Sequence, residues 1–231
     1  MDYRVDAQAA YVLHTRPYLE TSAIIDFLTL EHGRVSAVVK GVRRPASKMR
    51  GVIQPFVPLH ICWRGKQDLK SLTLAESVGL NGILQGNALI CGLYINELLQ
   101  KLLSPFDPVP RLYVYYQYLL NELVAGQDIE GALRTFEHRL LSELGFGLQL
   151  DHVKADRMYF FDIGQWALIP IVQVSDGQRS RCFVGQDLLD IEEDRYKKRS
   201  VKQSAKRLMR LAVDHLLAGK TLNSRSLFKR I

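Results

Sequence analysis

From Ala9 to Gly79 apolar and β-branched residues come in short runs broken by turn residues, the pattern of a small closed sheet. The runs predict strands over 8–14, 21–30, 34–40, 56–63 and 69–78. Between the second and third, Glu31-His32-Gly33 is short enough for a hairpin turn, with Gly33 free to take positive φ. Five strands in about 80 residues suit an OB barrel, and the pattern alone suits an SH3-like barrel almost as well.

After Gly79 the period lengthens. Leu, Ile and Tyr recur at three- and four-residue spacing from Leu89 to Leu103, and further helices are predicted over 110–125 and 128–144, the last ended by Gly145 in a left-handed cap. Residues 157–184 return to short strand-like runs around Tyr159-Phe160-Phe161 and 167–174, with Asp176-Gly177 as a turn signal. From Arg199 to Leu217, Val201, Ala205, Leu208, Ala212 and Leu216 share one helix face, and Arg199, Lys202, Lys206 and Arg210 the opposite one. The expected fold class is α+β: an N-terminal OB-fold β-barrel over 1–80, then a mainly helical C-terminal domain over 81–231 with a small β excursion near 157–184. Residues 219–231 fit either a helix or a docked tail.

Charge changes this picture by its distribution. The net charge is +7, with 11 Lys/Arg against 7 Asp/Glu in residues 1–80, 8 against 16 in 81–194, and 12 against 1 in 195–231. Cations clustered at both ends suit a polyanion, whose condensed counterions are released on binding. The densest stretch is Lys40 to Gly51, with Lys40, Arg43, Arg44, Lys48 and Arg50 and no acid. Basic barrel loops are how OB folds follow a nucleic-acid backbone. Phe56 and Trp63 stand at strand positions and are expected in the core rather than as stacking platforms. Tyr113, Tyr115, Tyr116 and Tyr118 point in different directions around a helix, so they are expected to be packed rather than to form a ladder. The 199–210 stripe suits DNA or an acidic peptide better than a membrane surface, because its apolar face is rich in alanine and lacks Trp and Phe.

The chain offers little for catalysis. It contains no P-loop, G-x-G-x-x-G, H-E-x-x-H or G-x-S-x-G. Cys62, Cys91 and Cys182 lie far apart, and the six histidines include no i, i+4 pair. Asp190, Glu192, Glu193 and Asp194 could hold Mg²⁺ for nuclease chemistry, but they directly precede a basic helix whose N-terminal dipole they would favour. No apolar run spans a bilayer and the first residues lack a signal core, so a cytosolic, non-enzymatic protein without cofactor is expected.

Five ordered blocks carry a resemblance. They are Val12-Leu13-His14-Thr15-Arg16-Pro17-Tyr18 with Glu20-Thr21-Ser22; Glu31-His32-Gly33-Arg34-Val35 leading to Lys40-Gly41-Val42-Arg43-Arg44 and Gln54-Pro55-Phe56; Gly92-Leu93-Tyr94-Ile95-Asn96-Glu97-Leu98-Leu99; Leu133-Arg134-Thr135-Phe136-Glu137 with Leu144-Gly145-Phe146-Gly147; and Ser224-Arg225-Ser226-Leu227-Phe228. Over nearly its whole length the chain resembles the bacterial RecO family, in particular its gammaproteobacterial branch. The resemblance implies a recombination mediator in DNA repair. Such a protein binds single- and double-stranded DNA, anneals complementary strands, binds RecR and promotes RecA loading onto strands coated by single-stranded-DNA-binding protein. It implies action in the cytoplasm, at the nucleoid.

The candidate DNA-binding residues are Arg34, Lys40, Arg43, Arg44, Lys48, Arg50, Arg199, Lys202, Lys206 and Arg210. Arg134 and Phe136 match the family's contact with the acidic, Phe-terminated tail of the single-strand-binding protein. Many relatives hold zinc on four cysteines, which this sequence lacks, so no metal is expected. Three other readings stay open from the residues alone: an RNA-binding OB module, a metal-dependent nuclease acting through Glu192 and Glu193, and a hub that reaches DNA only through partners.

Overall fold

A computed structural model describes residues 3–79 and 82–229. Strands β1 (Arg4–Tyr18), β2 (Ser22–Thr29), β3 (Gly33–Val39), β4 (Leu59–Arg64) and β5 (Lys70–Ser77) close a barrel in the order β1-β2-β3-β5-β4, with helix α1 (Lys48–Val52) between β3 and β4. Closure needs one parallel contact, Ala37↔Lys70 and Val38↔Ser71, and a long β1 that pairs with both β2 and β4. This is the OB arrangement, which decides between the two barrels the sequence allowed. The turn before β3 is tight: Gly33 has φ +63°, and a Cβ there would lie 1.9 Å from the Asp107 carbonyl oxygen.

Along β3 buried and half-buried residues alternate, placing Val35, Ala37 and Val39 in the barrel core with Phe27, Ile25, Leu59, Ile61 and Trp63. Trp63 is 2% exposed and Phe56 is buried, so both aromatics are interior as expected. β1 changes register between Val12 and His14, a bulge that lets one strand bend around the barrel.

Packing divides the described chain into two compact units, residues 1–125 with 222–231, and residues 126–221. The boundary expected at residues 80 and 81 lies outside the described residues; β5 ends at Ser77 and the next helix begins at Gly86, whereas the packing boundary follows Ala125. The reason is polar and aromatic anchoring of α2 (Gly86–Leu102) and α3 (Pro110–Ala125) on the barrel. Buried Asn96 donates from Nδ2 to the Val12 carbonyl at 3.1 Å and accepts from the Tyr116 hydroxyl at 2.6 Å, which serves the backbone where β1 bulges. Tyr11 packs on the rings of Tyr113 and Tyr116. The terminal 3-10 turn Asn223–Lys229 completes the unit: the Glu97 carboxylate accepts from the Asn223 and Ser224 backbone N–H groups, each at 2.9 Å, and from the Ser224 hydroxyl at 2.6 Å. Of the two expectations for this segment, the docked one describes it.

In the second unit, α4 (Ile129–Glu143), α5 (Gly185–Glu192) and α6 (Arg199–Leu216) accompany a three-stranded sheet of β6 (Met158–Asp162), β7 (Ala167–Ile171) and β8 (Cys182–Val184), ordered β7-β6-β8. Gly145 has φ +83° just past α4, the left-handed cap its position predicts. The core joins Tyr159, Phe161 and Phe183 of the sheet to Leu188, Val201, Leu208 and Met209 of the helices.

Candidate nucleic-acid interface

The barrel contributes the loop between β3 and α1. Its cations Lys40, Arg43 and Arg44, and Lys48 and Arg50 of the adjoining α1, are all exposed, while Val42 in their midst is buried in the barrel core. Consecutive turns fold the loop, with the Arg44 N–H donating to Gly41, Ser47 to Arg44 and Arg50 to Ser47. Arg43 fastens it to the β1–β2 turn, donating through its backbone N–H to the Thr21 carbonyl at 2.9 Å and through its guanidinium to those of Leu19 at 3.2 Å and Glu20 at 3.4 Å. Five cations are thereby presented on an ordered backbone, with little backbone entropy left to lose on binding. Arg34 differs. It is half-buried and its Nε donates to the Leu103 carbonyl at 3.0 Å, so part of its donor set serves the end of α2.

Beside the loop lies a cavity of about 510 Å³ lined by Thr15, Ala23, Ile25, Arg43, Arg50 and Gln54, among others. Thr15, Ala23 and Gln54 carry no sequence signal for such a role, since the cavity follows from strand register and from the placement of α1.

The second unit contributes α6. Val201, Ala205, Leu208 and Ala212 are buried as the helical spacing predicts, while Leu216 is half-buried. Arg199, Lys206 and Arg210 are exposed on the opposite face. Lys202 is half-buried and donates to the Asp128 carboxylate at 2.6 Å. The same carboxylate accepts from the Gly131 N–H and caps α4. Burial pushes the Asp128 carboxyl upward, but its bonds from Lys202 and Gly131 outweigh this and hold it below the usual carboxylate range. Arg207, which the stripe omits, is tied down by the Arg179 and Cys182 carbonyls and lies over the Phe183 ring. It borders a cavity of about 630 Å³ also lined by Met158, Val174, Arg179, Val184 and Lys206.

Arg134 and Phe136, the residues expected to meet the single-strand-binding protein's tail, both lie toward the interior face of α4. Phe136 is 1% exposed, and Arg134, 8% exposed, pairs with buried Glu137 at 2.5 Å, leaving its Nε buried without an acceptor among the described residues. Three-residue spacing along α4 turns both carboxylate and guanidinium inward, which sequence cannot distinguish from an outward pair.

The acids at 190–194 also differ from their expected role. None lies in the first turn of α6. Asp190 instead pairs with Arg195 at 3.0 Å and Lys198 at 3.5 Å, Glu192 with buried His138 at 3.1 Å, Glu193 with Arg195 at 2.8 Å, and Asp194 with Arg139. Burial raises the Asp194 carboxyl, and the nearby His138 ring together with the hydrogen bond from Arg139 more than compensate, keeping it below its ordinary range. Among the described residues no group of three or more His, Cys, Asp and Glu is placed to hold a metal ion, and the three cysteines are separately buried thiols, so the residues do not fit a four-cysteine zinc site. No helix among them is long and apolar enough to cross a membrane.

Comparison with known proteins agrees in order and extent. The family described as "Recombination protein O N terminal" matches residues 1–81, and "Recombination protein O C terminal" matches residues 84–154. The chain is 40% identical to the DNA repair protein RecO of Methylococcus capsulatus over 98% of its own length and 94% of the relative's. It is 41% identical to the proteins of the same name from Pseudoalteromonas atlantica, covering 95% of this chain and 92% of that one, and Pseudomonas paraeruginosa, covering 96% and 94%. With a closed OB barrel at its N-terminal end and this identity along nearly its whole length, the chain belongs to the RecO family of DNA repair proteins.

Proposed function

We propose that the chain is a recombination mediator that binds single- and double-stranded DNA and anneals complementary strands, including strands coated with single-stranded-DNA-binding protein. With RecR it promotes RecA loading, and it does so without a chemical step or cofactor. Its place of action on this reading is the nucleoid in the cytoplasm. The observation that carries the reading is the set of five exposed cations on a loop pinned to the barrel by Val42 and Arg43, in a chain of this family. Phosphates on that loop release counterions and bring two backbones close enough for bases to search for complements. Arg199, Lys206 and Arg210 give a second cationic surface, and Lys202 joins it where phosphate outcompetes Asp128.

For the acidic, Phe-terminated tail, the cavity beside α6 is a better-matched seat than Arg134 and Phe136. Met158, Val174 and Val184 offer apolar wall for a ring, and Arg179, Lys206 and Arg207 offer donors for carboxylates. The nuclease reading is disfavoured by the ion pairs that already hold Asp190, Glu192, Glu193 and Asp194. The test is strand annealing without nucleotide, using complementary fluorescent oligonucleotides coated with cognate single-strand-binding protein at several salt concentrations. Acceleration that weakens steeply with salt is expected. No acceleration at low salt with the coat protein still bound defeats the mediator reading, and stronger binding of matched RNA than DNA replaces it with an RNA-binding one.

A further inference from the structure

Strand pairing places a cleft over one end of the barrel core. Opposite residues of an antiparallel pair present their side chains to the same face. Ala23 and Ile25 of β2 are barrel-core residues, and their partners on β1 are Pro17 and Thr15. Thr15 and Pro17 therefore face inward, as Ala10 and Val12 do before the bulge, yet both are exposed. The space they leave uncovered is the cavity of about 510 Å³, floored by Ala23, Ile25, Val42 and Ile53 and rimmed by Arg43 and Arg50. Its size falls within the roughly 300 to 1,000 Å³ typical of small-ligand sites. An apolar floor with two guanidinium groups at the mouth and no carboxylate among the lining residues suits a flat, partly apolar ring attached to an anion.

We propose that this cavity takes one unstacked nucleobase of single-stranded DNA, with the adjoining phosphate held by Arg43 and Arg50. The inference rests on the DNA-binding reading above and adds a contact that electrostatics alone does not supply. The ring enters between Thr15 and Gln54 and lies against the accessible edges of Val42 and Ile53. Arg43 is already fixed by the Leu19 and Glu20 carbonyls, so its remaining donors are held at the mouth before the strand arrives. A base inside a duplex would first have to be unpaired and unstacked, which favours single strands at this site. The Thr15 hydroxyl and the Gln54 amide are the groups able to meet the polar edge of the ring.

The test uses the full-length chain and pairs of short single-stranded oligonucleotides, one fully base-bearing and one with a single abasic sugar scanned through it, which keeps the phosphate charge constant. One position is expected to lose about tenfold in affinity when made abasic, the scale of a single base contact. In the double variant T15L/Q54L, which narrows the entrance, base-bearing and abasic strands are expected to bind equally, while duplex affinity stays that of the unmodified chain. Equal affinity for base-bearing and abasic strands in the unmodified chain would overturn the pocket and leave phosphate binding intact. A base preference that persists undiminished in the variant also overturns it, since the contact would then lie elsewhere. Failure to bind any DNA defeats the underlying reading and the pocket together, and an abasic penalty seen with RNA but not with DNA overturns the assignment to DNA.

Discussion

Removing Arg44 and Lys48 together should change the salt dependence of single-strand binding by a predictable amount. Arg44 on the β3–α1 loop and Lys48 at the start of α1 are both exposed and neither anchors the fold, unlike Arg43, which fastens the β1–β2 turn, and Arg34, which serves the end of α2. Each phosphate contact contributes about −0.7 to the slope of log K against log salt for single strands, so the five loop cations together give a slope of roughly −3.5. Between 50 and 200 mM salt that corresponds to a loss of about 130-fold from the loop alone. With R44A/K48A the loop slope falls to roughly −2.1 and the loss to about 18-fold. Fluorescence anisotropy with a short labelled oligonucleotide at four or five salt concentrations measures the slope, and thermal melting checks that the fold is intact. An unchanged slope in a folded variant would remove these two residues from the interface and refute the argument that exposure on this loop means phosphate contact.

Other perturbations test the scaffold and the second surface. Asn96→Ala removes the partner of both the Val12 carbonyl and the Tyr116 hydroxyl in a buried site, and should cost about 2 to 4 kcal/mol in urea denaturation; a cost under about 0.5 kcal/mol, the usual range of surface changes, would mean the bulge needs no such support. Burial raises the Glu97 carboxyl, but its bonds from Ser224 and Asn223, with Lys101 beside it, outweigh that and hold it below its ordinary 4.5. A lowered carboxylate stabilises fully above the unfolded value and loses that contribution as pH falls through the folded value. Proteolysis near residue 224 should therefore accelerate as pH drops below about 4.5, and E97Q should be cleaved faster at neutral pH with a much flatter acid response. On α6, Lys206→Ala should weaken DNA binding without changing the melting temperature, whereas Asp128→Ala should cost about 1 kcal/mol through the lost α4 cap; equal effects on binding and melting from both would count against a division between surface and scaffold roles.

How much was legible in the sequence depended on whether the deciding interaction was local. Helix α3 falls at its predicted limits, 110–125, and Gly33 and Gly145 take the positive φ their turns require. Alternation in β3 and the buried face of α6 follow from periods of two and 3.6, which the chain carries in its own order. Other features depend on packing against residues distant in sequence. The Arg134–Glu137 pair is local, but whether it turns outward or inward is set by the core around α4, and the 190–194 acids look like a dipole cluster until His138 and Arg139 come within reach. The cleft over the barrel core needed both the β1 bulge and the pairing of Thr15 with Ile25, and nothing in the sequence 12–17 marks where a strand gains a residue.

The bond between Glu97 and Ser224 spans 127 residues of sequence. A ribosome adding about 5 to 20 residues per second needs roughly 6 to 25 s to make that interval. For that time Glu97 has been synthesised but its donors at Asn223 and Ser224 have not, while all of residues 126–221 is being made. The first unit is thus completed only after the second has emerged. A transcript truncated within the second unit would yield a barrel whose Glu97 never receives those bonds, so messages cut short are distinguished from full ones by the stability of a region they encode intact.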